Sequence, residues 1–260
     1  MRVLHPPIPP VSNREHPALS SERRVLLAAA YSGQGPEYDR LRPGYPAEFV
    51  TELARISGPL GAVDVGAGTG KLAAALSARG VAVTAVDPSE KMLAQVPAGI
   101  TALTGGAEAL PLPGRSVSLY TAAQAWHWFD TVAACREADR VLADGGTLAL
   151  LWNTLDVTVP WVHRLSRIMH AGDILKDGFV PPMNAPFCLS ERREVRWEQR
   201  MSTADVTRLA ATRSYWQRSD EKTRRRVAAN LDWYLYEHLG HASDSEIALP
   251  YRSDLLLYRR

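Results

Sequence analysis

Cysteine is scarce in this 260-residue chain: Cys135 and Cys188 are the only two, far apart and without metal-ligating companions. That excludes a disulfide framework and a zinc site, and it fits a reducing compartment. Long apolar runs are missing too. No stretch approaches the roughly 20 residues needed to cross a bilayer. The start is charged and Pro-rich rather than leader-like, with only a short apolar run at 25–31. An excess of one charge is also lacking, since 30 Lys and Arg against 28 Asp and Glu leave +2. This balance provides no footprint for nucleic acid or an anionic membrane. The dense basic run Arg224-Arg225-Arg226 falls inside a helical pattern and reads as a solvated face. We find no internal repeat. A cytoplasmic protein is expected, monomeric or homodimeric. Hydrophobic residues make up 46% of the chain, enough for one large core.

Periodicity sets the order of elements. His5–Pro10 is expected to be an extended arm, because proline fixes φ and donates no hydrogen bond. A short helix at 20–31, a loop through Gly33, Gly35 and Pro36, and a helix at 46–57 follow. From residue 61, strand-like apolar runs fall at 62–65, 81–86, 100–103, 117–122 and 146–152. Helical runs at 69–79, 89–95 and 130–142 separate them. Alternation at this spacing predicts parallel strands joined by crossover helices. Later helices are expected at 159–169, 203–212 and 219–239, the last capped by Ser219. Two further β-like runs, 194–201 and 247–258, extend the sheet at one edge, and Pro250 demotes the second to an edge strand or a strand start. The predicted fold is α/β: a doubly wound, mostly parallel seven-stranded sheet with a helical cap and an antiparallel edge strand.

The most informative stretch is Asp64-Val65-Gly66-Ala67-Gly68-Thr69-Gly70-Lys71-Leu72, between a strand and a helix. Glycines let a ligand approach the backbone, and the helix start aims N–H groups at it. A phosphate-cradling G-x-x-x-x-G-K-[ST] loop fails twice, at Val65 and at Leu72. The dinucleotide pattern G-x-G-x-x-G is met by Gly66 and Gly68, but Lys71 stands where a third small residue belongs. An acidic-x-G-x-G-x-G pattern fits from Asp64 to Gly70. Asp87 ends the second strand 21 residues after Gly66, where a carboxylate accepts from both ribose hydroxyls of an adenosine or caps the helix from Ser89.

With these residues the chain resembles the class I S-adenosylmethionine-dependent methyltransferases. The resemblance implies that Asp64 holds the ammonium of the methionine end, and that Gly66, Ala67, Gly68, Thr69 and Gly70 make room for it. Asp87, Pro88 and Met92 serve the ribose side. Ala107 and Glu108, in the Gly105–Pro113 segment, flank the adenine, and Gln124 completes the cofactor set. After strand four, Ala125-Trp126-His127-Trp128-Phe129-Asp130 is similar to a signature of small-molecule methyltransferases of the trans-aconitate and ubiquinone-pathway types. Tyr38, Arg42, Pro43, Gly44, Tyr45 and Pro46 resemble that subgroup's segment that closes over the cofactor, with Arg42 on the methionine carboxylate. Looser likeness in Trp152-Asn153 and Leu249-Pro250-Tyr251-Arg252 carries it across nearly the whole chain.

The resemblance implies three divisions: an arm and lid at 1–45, the cofactor-binding core at 46–154, and a cap with the last two strands at 155–260. It makes His127 the candidate general base, since histidine titrates near neutrality, or a residue that only shapes the pocket. Tyr31, Trp126, Trp128 and Trp161 are candidate walls for a small-molecule acceptor. No metal is expected. An Asp/Asn-Pro-Pro-aromatic segment and a cysteine after strand four are both lacking, which sets aside nucleic-acid amine and pyrimidine C5 chemistry. An NAD-dependent oxidoreductase and a non-catalytic binding protein stay open as alternatives.

Overall fold

The computed structural model describes residues 36–171 and 178–260, and for 36–38 the backbone alone. The Pro-rich arm, the helix expected at 20–31 and Tyr31 lie outside the described residues. Two helices open the described chain, α1 (Pro36–Leu41) and α2 (Ala47–Ile56). Proline suits both starts, having no N–H to leave unbonded in a first turn. Phe49, Val50 and Leu53 form the buried stripe of α2.

The alternation follows as expected: β1 (Ala62–Val65), α3 (Lys71–Ser77), β2 (Val83–Asp87), α4 (Glu90–Leu93), β3 (Thr101–Thr104) and β4 (Val117–Ala123). A single 3-10 turn, Trp126–Trp128, leads into α5 (Thr131–Val141) and β5 (Leu142–Leu155). All four β1 residues are buried, as a strand covered on both faces requires. Caps fix two of the helix starts. Ser89 Oγ accepts from the Met92 N–H at 3.4 Å, and one Asp130 oxygen accepts from Val132 and Ala133 N–H at 3.1 Å each.

The seven strands run in the order β3-β2-β1-β4-β5-β7-β6, where β6 is Cys188–Ser202 and β7 is Glu246–Arg259. Pairs β1–β2, β1–β4, β2–β3 and β4–β5 are parallel. The fold is thus the expected α/β sheet, mostly parallel with an antiparallel edge strand. Strand order reverses between β1 and β4, and such a switch point opens a crevice beyond the strands' carboxyl ends. Asp64 of β1 stands in register with Thr121 of β4 there. Beneath it Leu53, Leu72, Leu76, Leu119, Leu255 and Leu257 belong to one buried cluster.

Three local expectations need correction. Pro250 lies inside β7, which is flanked by β5 and β6, so it marks neither an edge nor a start. A proline is tolerated there because its carbonyl carries the local bond, accepting from the Asp156 N–H at 3.0 Å. The helix expected at 219–239 is broken into α9 (Glu221–Asp232) and a π-helical turn, Trp233–His238. Its cap is Asp220, which accepts from the Thr223 N–H at 2.8 Å, while Ser219 ends the preceding helix α8 (Ser214–Arg218). A carboxylate outcompetes a hydroxyl at a helix start because it adds charge to the hydrogen bond.

The described residues form two compact units. The larger takes in 36–153, 180–195 and 253–260, and the smaller takes in 154–171, 178–179 and 196–252. In the smaller unit α6 (Pro160–Ile168) and α7 (Thr203–Ala211) both pack against α9.

Candidate functional site

The glycine loop is folded back onto the end of β2. Gly66 and Ala67 both donate to the Val86 carbonyl, at 2.8 and 3.1 Å. Gly68 donates its N–H to Asp87 Oδ2 at 2.9 Å, and Ser89 donates to Oδ1 at 2.8 Å. Loop and strand end are therefore one unit, held by a carboxylate that is 9% exposed. Burial raises the Asp87 carboxyl above its ordinary range, opposed by the Ser89 and Gly68 N–H groups. Each Asp87 oxygen spends one lone pair on the backbone and keeps another. Pro88 is exposed next to it, and buried Met92 flanks Gly68, its Cε 3.4 Å from where a Cβ would stand.

Asp64 faces the other way. It is 1% exposed and accepts from Thr121 Oγ1 at 2.8 Å and from a backbone group of Ala73 in α3. Burial pushes its carboxyl up to about 7, more than those hydrogen bonds bring it down, and the Asp87 charge adds to the rise. Asp87 thus holds the loop itself, while Asp64 ties β1 to β4 and to α3.

Segment 124–130 leans directly on the loop. A Cβ on Gly66 would lie 2.5 Å from the Ala125 Cβ and 3.2 Å from Phe129 Cζ, and φ there is +68°. Glycine at 66 is required by both facts. Gln124 has φ 57° without being glycine, a conformation worth about 1–2 kcal/mol of strain. Its N–H donates to the Leu151 carbonyl at 2.8 Å and its Nε2 to the Asn153 carbonyl at 2.6 Å, which hold it there. Trp126 turns inward: it is 1% exposed, its indole N–H donates to the Pro182 carbonyl at 3.1 Å, and Phe129 meets it edge-on at 5.7 Å. His127 points to solvent, with its ring 4.7 Å from that of half-buried Trp128. Ala107 is buried. Glu108 is exposed, and its Oε1 accepts from the Asp130 N–H at 2.8 Å, joining the loop after β3 to the start of α5.

From the other side comes the 36–46 segment. Tyr38 contributes its backbone to α1, and half-buried Arg42 follows that helix. Asp39 Oδ1 accepts from buried Thr69 Oγ1 at 2.6 Å, so α1 rests on the glycine loop. Gly44 is fixed by Asn153 Nδ2, which donates to its carbonyl at 2.7 Å, while Ser253 Oγ donates to Asn153 Oδ1 at 2.6 Å. Trp161 belongs to the smaller unit. It is half-buried in the first turn of α6, and its carbonyl accepts from Tyr234 Oη at 2.9 Å. No cluster of His, Cys, Asp and Glu among the described residues is built to hold a metal.

A family model described as a methyltransferase domain matches residues 63–150. An uncharacterised methyltransferase of Mycobacterium tuberculosis is 38% identical over 237 residues, which span 90% of this chain and 96% of the relative. The chain belongs to the class I S-adenosylmethionine-dependent methyltransferases. A solved structure from Anaeromyxobacter dehalogenans, classed as a type II methyltransferase, aligns with a TM-score of 0.64 at 25% identity, covering 83% of this chain and 97% of that one. A geranyl diphosphate C-methyltransferase from Streptomyces coelicolor, solved with Mg2+, geranyl-S-thiolodiphosphate and S-adenosyl-L-homocysteine, shares the fold at 13% identity and a TM-score of 0.52, covering 93% of this chain and 99% of that one.

In this methyltransferase four residues at the site carry no assignment from sequence: Asp39, Thr121, Asn153 and Phe129. All four act through hydrogen bonds or contacts to partners 30 to 109 residues away, which spacing along the chain does not encode. One signal was visible. Lys71 opens α3, where the helix dipole disfavours a cation.

Proposed function

We propose that this methyltransferase takes its methyl group from S-adenosyl-L-methionine, releases S-adenosyl-L-homocysteine, and methylates a small molecule. The observation that carries this reading is the Asp87 carboxylate on the Gly68 N–H at 2.9 Å. It leaves one lone pair on each oxygen, the acceptor pattern of a ribose diol, beside a loop with no third small residue for a pyrophosphate. The residues fit the cofactor: Asp87 and Met92 at the ribose, Ala107 and Glu108 at the adenine, and Gly66–Gly70 with Asp64 and Arg42 at the methionine end. The Streptomyces coelicolor relative in fold was solved with S-adenosyl-L-homocysteine, which supports the same assignment.

The cofactor supplies an already activated methyl on a sulfonium, so the chain's main contribution is alignment, worth up to roughly 7–11 kcal/mol. His127, exposed at the 3-10 turn beyond β4, takes a proton from an acceptor that carries one. Trp128 lines the acceptor side, while Trp126 holds the turn in place through Pro182. No helix among the described residues is long and apolar enough to cross a membrane. Cys135 and Cys188 form no disulfide, in keeping with a cytoplasmic setting.

Calorimetric titration with S-adenosylmethionine, S-adenosylhomocysteine and NAD tests the cofactor. Micromolar binding of the two sulfur compounds and none of NAD is expected, and the reverse pattern would overturn the reading. A methyl-transfer screen over carboxylic acids, phenols and indoles then tests the acceptor. Turnover of nucleic acid or protein but of no small molecule would refute that part.

A further inference from the structure

Lys71 is the residue that breaks the dinucleotide pattern, and nothing in cofactor binding uses it. Its position is also unfavourable for the helix it starts, because α3 has no acidic residue in its first turn and the helix dipole opposes a cation there. The structure gives the lysine a partner 32 residues away. Nζ donates to the Asp39 carbonyl at 2.5 Å and lies 3.4 Å from Asp39 Oδ1. That same carboxylate oxygen accepts from Thr69 Oγ1 at 2.6 Å. One residue of α1 is therefore gripped by two residues of the loop and helix that frame the methionine end.

α1 needs such a grip. It has six residues, well short of the roughly 12–15 at which an isolated helix becomes even marginal in water. Its last carbonyls have no partners within the helix, and the Asp39 carbonyl that Lys71 takes is among them. The lysine so sits at the negative end of α1, where a cation is favourable, at the expense of the start of α3. Leu41 is buried to 1% exposure, and the Gly44 carbonyl is held by Asn153 at the far end of the segment. Residues 39–44 are thereby fastened at both ends. The Lys71 end is partly open to water, with Lys71 and Asp39 side chains 27% and 43% exposed.

We propose that Lys71 and Asp39 form the latch of the cofactor lid, making Lys71 a positioning residue that sets how long the cofactor stays bound. The proposal rests on the cofactor reading above. The latch acts through α1, holding Asp39 and the segment that follows it against the glycine loop, and touches no reacting atom. Exposed charge pairs and single hydrogen bonds have modest effects, so the expected change is about fivefold, not hundredfold.

The test is the dissociation rate of S-adenosylhomocysteine by stopped-flow tryptophan fluorescence, in the full-length chain. Lys71→Met and Asp39→Asn should each speed release about fivefold. The double variant should be no faster than the faster single one, and Lys71→Arg should restore the wild-type rate. Amide exchange at residues 39–41 of the ligand-free protein should rise in Lys71→Met, with the melting temperature within about 2 °C of wild type. The exchange measurement keeps the test informative for a variant that binds too weakly for kinetics. Unchanged release and exchange in both single variants would overturn the latch while leaving the cofactor reading intact. So would effects that simply add in the double variant. Failure of the wild-type chain to bind S-adenosylhomocysteine would overturn both.

Discussion

Asp64→Asn should stabilise this protein at alkaline pH while weakening its cofactor binding. The wild-type carboxyl is 1% exposed and raised from the ordinary 3.8 to about 7, with desolvation the dominant cause. A native value above the unfolded one means that the folded chain binds the proton more tightly. The side chain therefore supports folding best below about pH 4, and that support is lost as pH rises through about 7. Roughly three pH units at 1.36 kcal/mol each amount to about 4 kcal/mol of penalty at pH 8. Asparagine keeps the shape, and its Oδ1 accepts from the groups of Thr121 and Ala73. Its amide hydrogens enter a site built for acceptors, at a cost of about 1–3 kcal/mol. A net gain of about 2 kcal/mol at pH 8 is expected, or roughly 4–8 °C in melting temperature for a chain of this size. At pH 5 the gain should vanish or reverse. The assay is thermal unfolding of both proteins from pH 5 to 8.5. An equal difference between them at pH 5 and pH 8 would refute the assigned burial cost. In wild type the cofactor ammonium prefers the ionised carboxylate, so binding of S-adenosylhomocysteine should weaken by up to about tenfold per pH unit below 7. That slope should flatten in the variant.

Two further substitutions probe the same region. Gly66→Ala sets a Cβ 2.5 Å from that of Ala125 at φ +68°, so a loss of about 2–4 kcal/mol is expected in urea unfolding, and a loss below about 0.5 kcal/mol would contradict the close approach. His127→Ala should lower turnover at least tenfold with S-adenosylhomocysteine affinity unchanged, since the residue is exposed at the turn beyond β4. Unaltered turnover would remove it from proton transfer.

The parallel half of the fold was legible because it is written in runs. A strand covered on both faces is mostly apolar, as Ala62–Val65 is apart from Asp64 and Val83–Val86 is apart from Thr84, and the helices between them fall at crossover spacing. The late elements were not, because their local signals point two ways. Ser219 and Asp220 are adjacent and both able to cap, and only the folded chain shows that Asp220 does so. Pro250 reads as an edge residue until β6 is seen beyond β7. The site divides along the same line. Asp64, Asp87 and the glycines could be singled out as candidates because they stand at short, regular spacing around one strand–turn–helix unit. The tryptophans were harder, since an aromatic run does not tell which ring turns inward, and Trp126 does so by donating to a carbonyl 56 residues away.

Lys71 shows where such inference stops and what replaces it. As a letter in a motif it only weakened the dinucleotide reading. Its cost at the start of α3 was a sign that something else holds it, because a charge placed against a dipole needs a compensating partner. The partner, Asp39, lies in a helix too short to stand alone, so neither element has its position without the other. Two residues that break a local rule, Lys71 against the dipole and Gln124 at positive φ, lie beside the glycine loop or in the segment that leans on it, whereas Arg115, His170 and Asp244 share the positive φ elsewhere. Lys71 and Gln124 are each held by bonds to a segment far away in sequence. For Lys71 the inconsistency has a long-range partner, and the latch variants test whether it marks cofactor retention rather than stability.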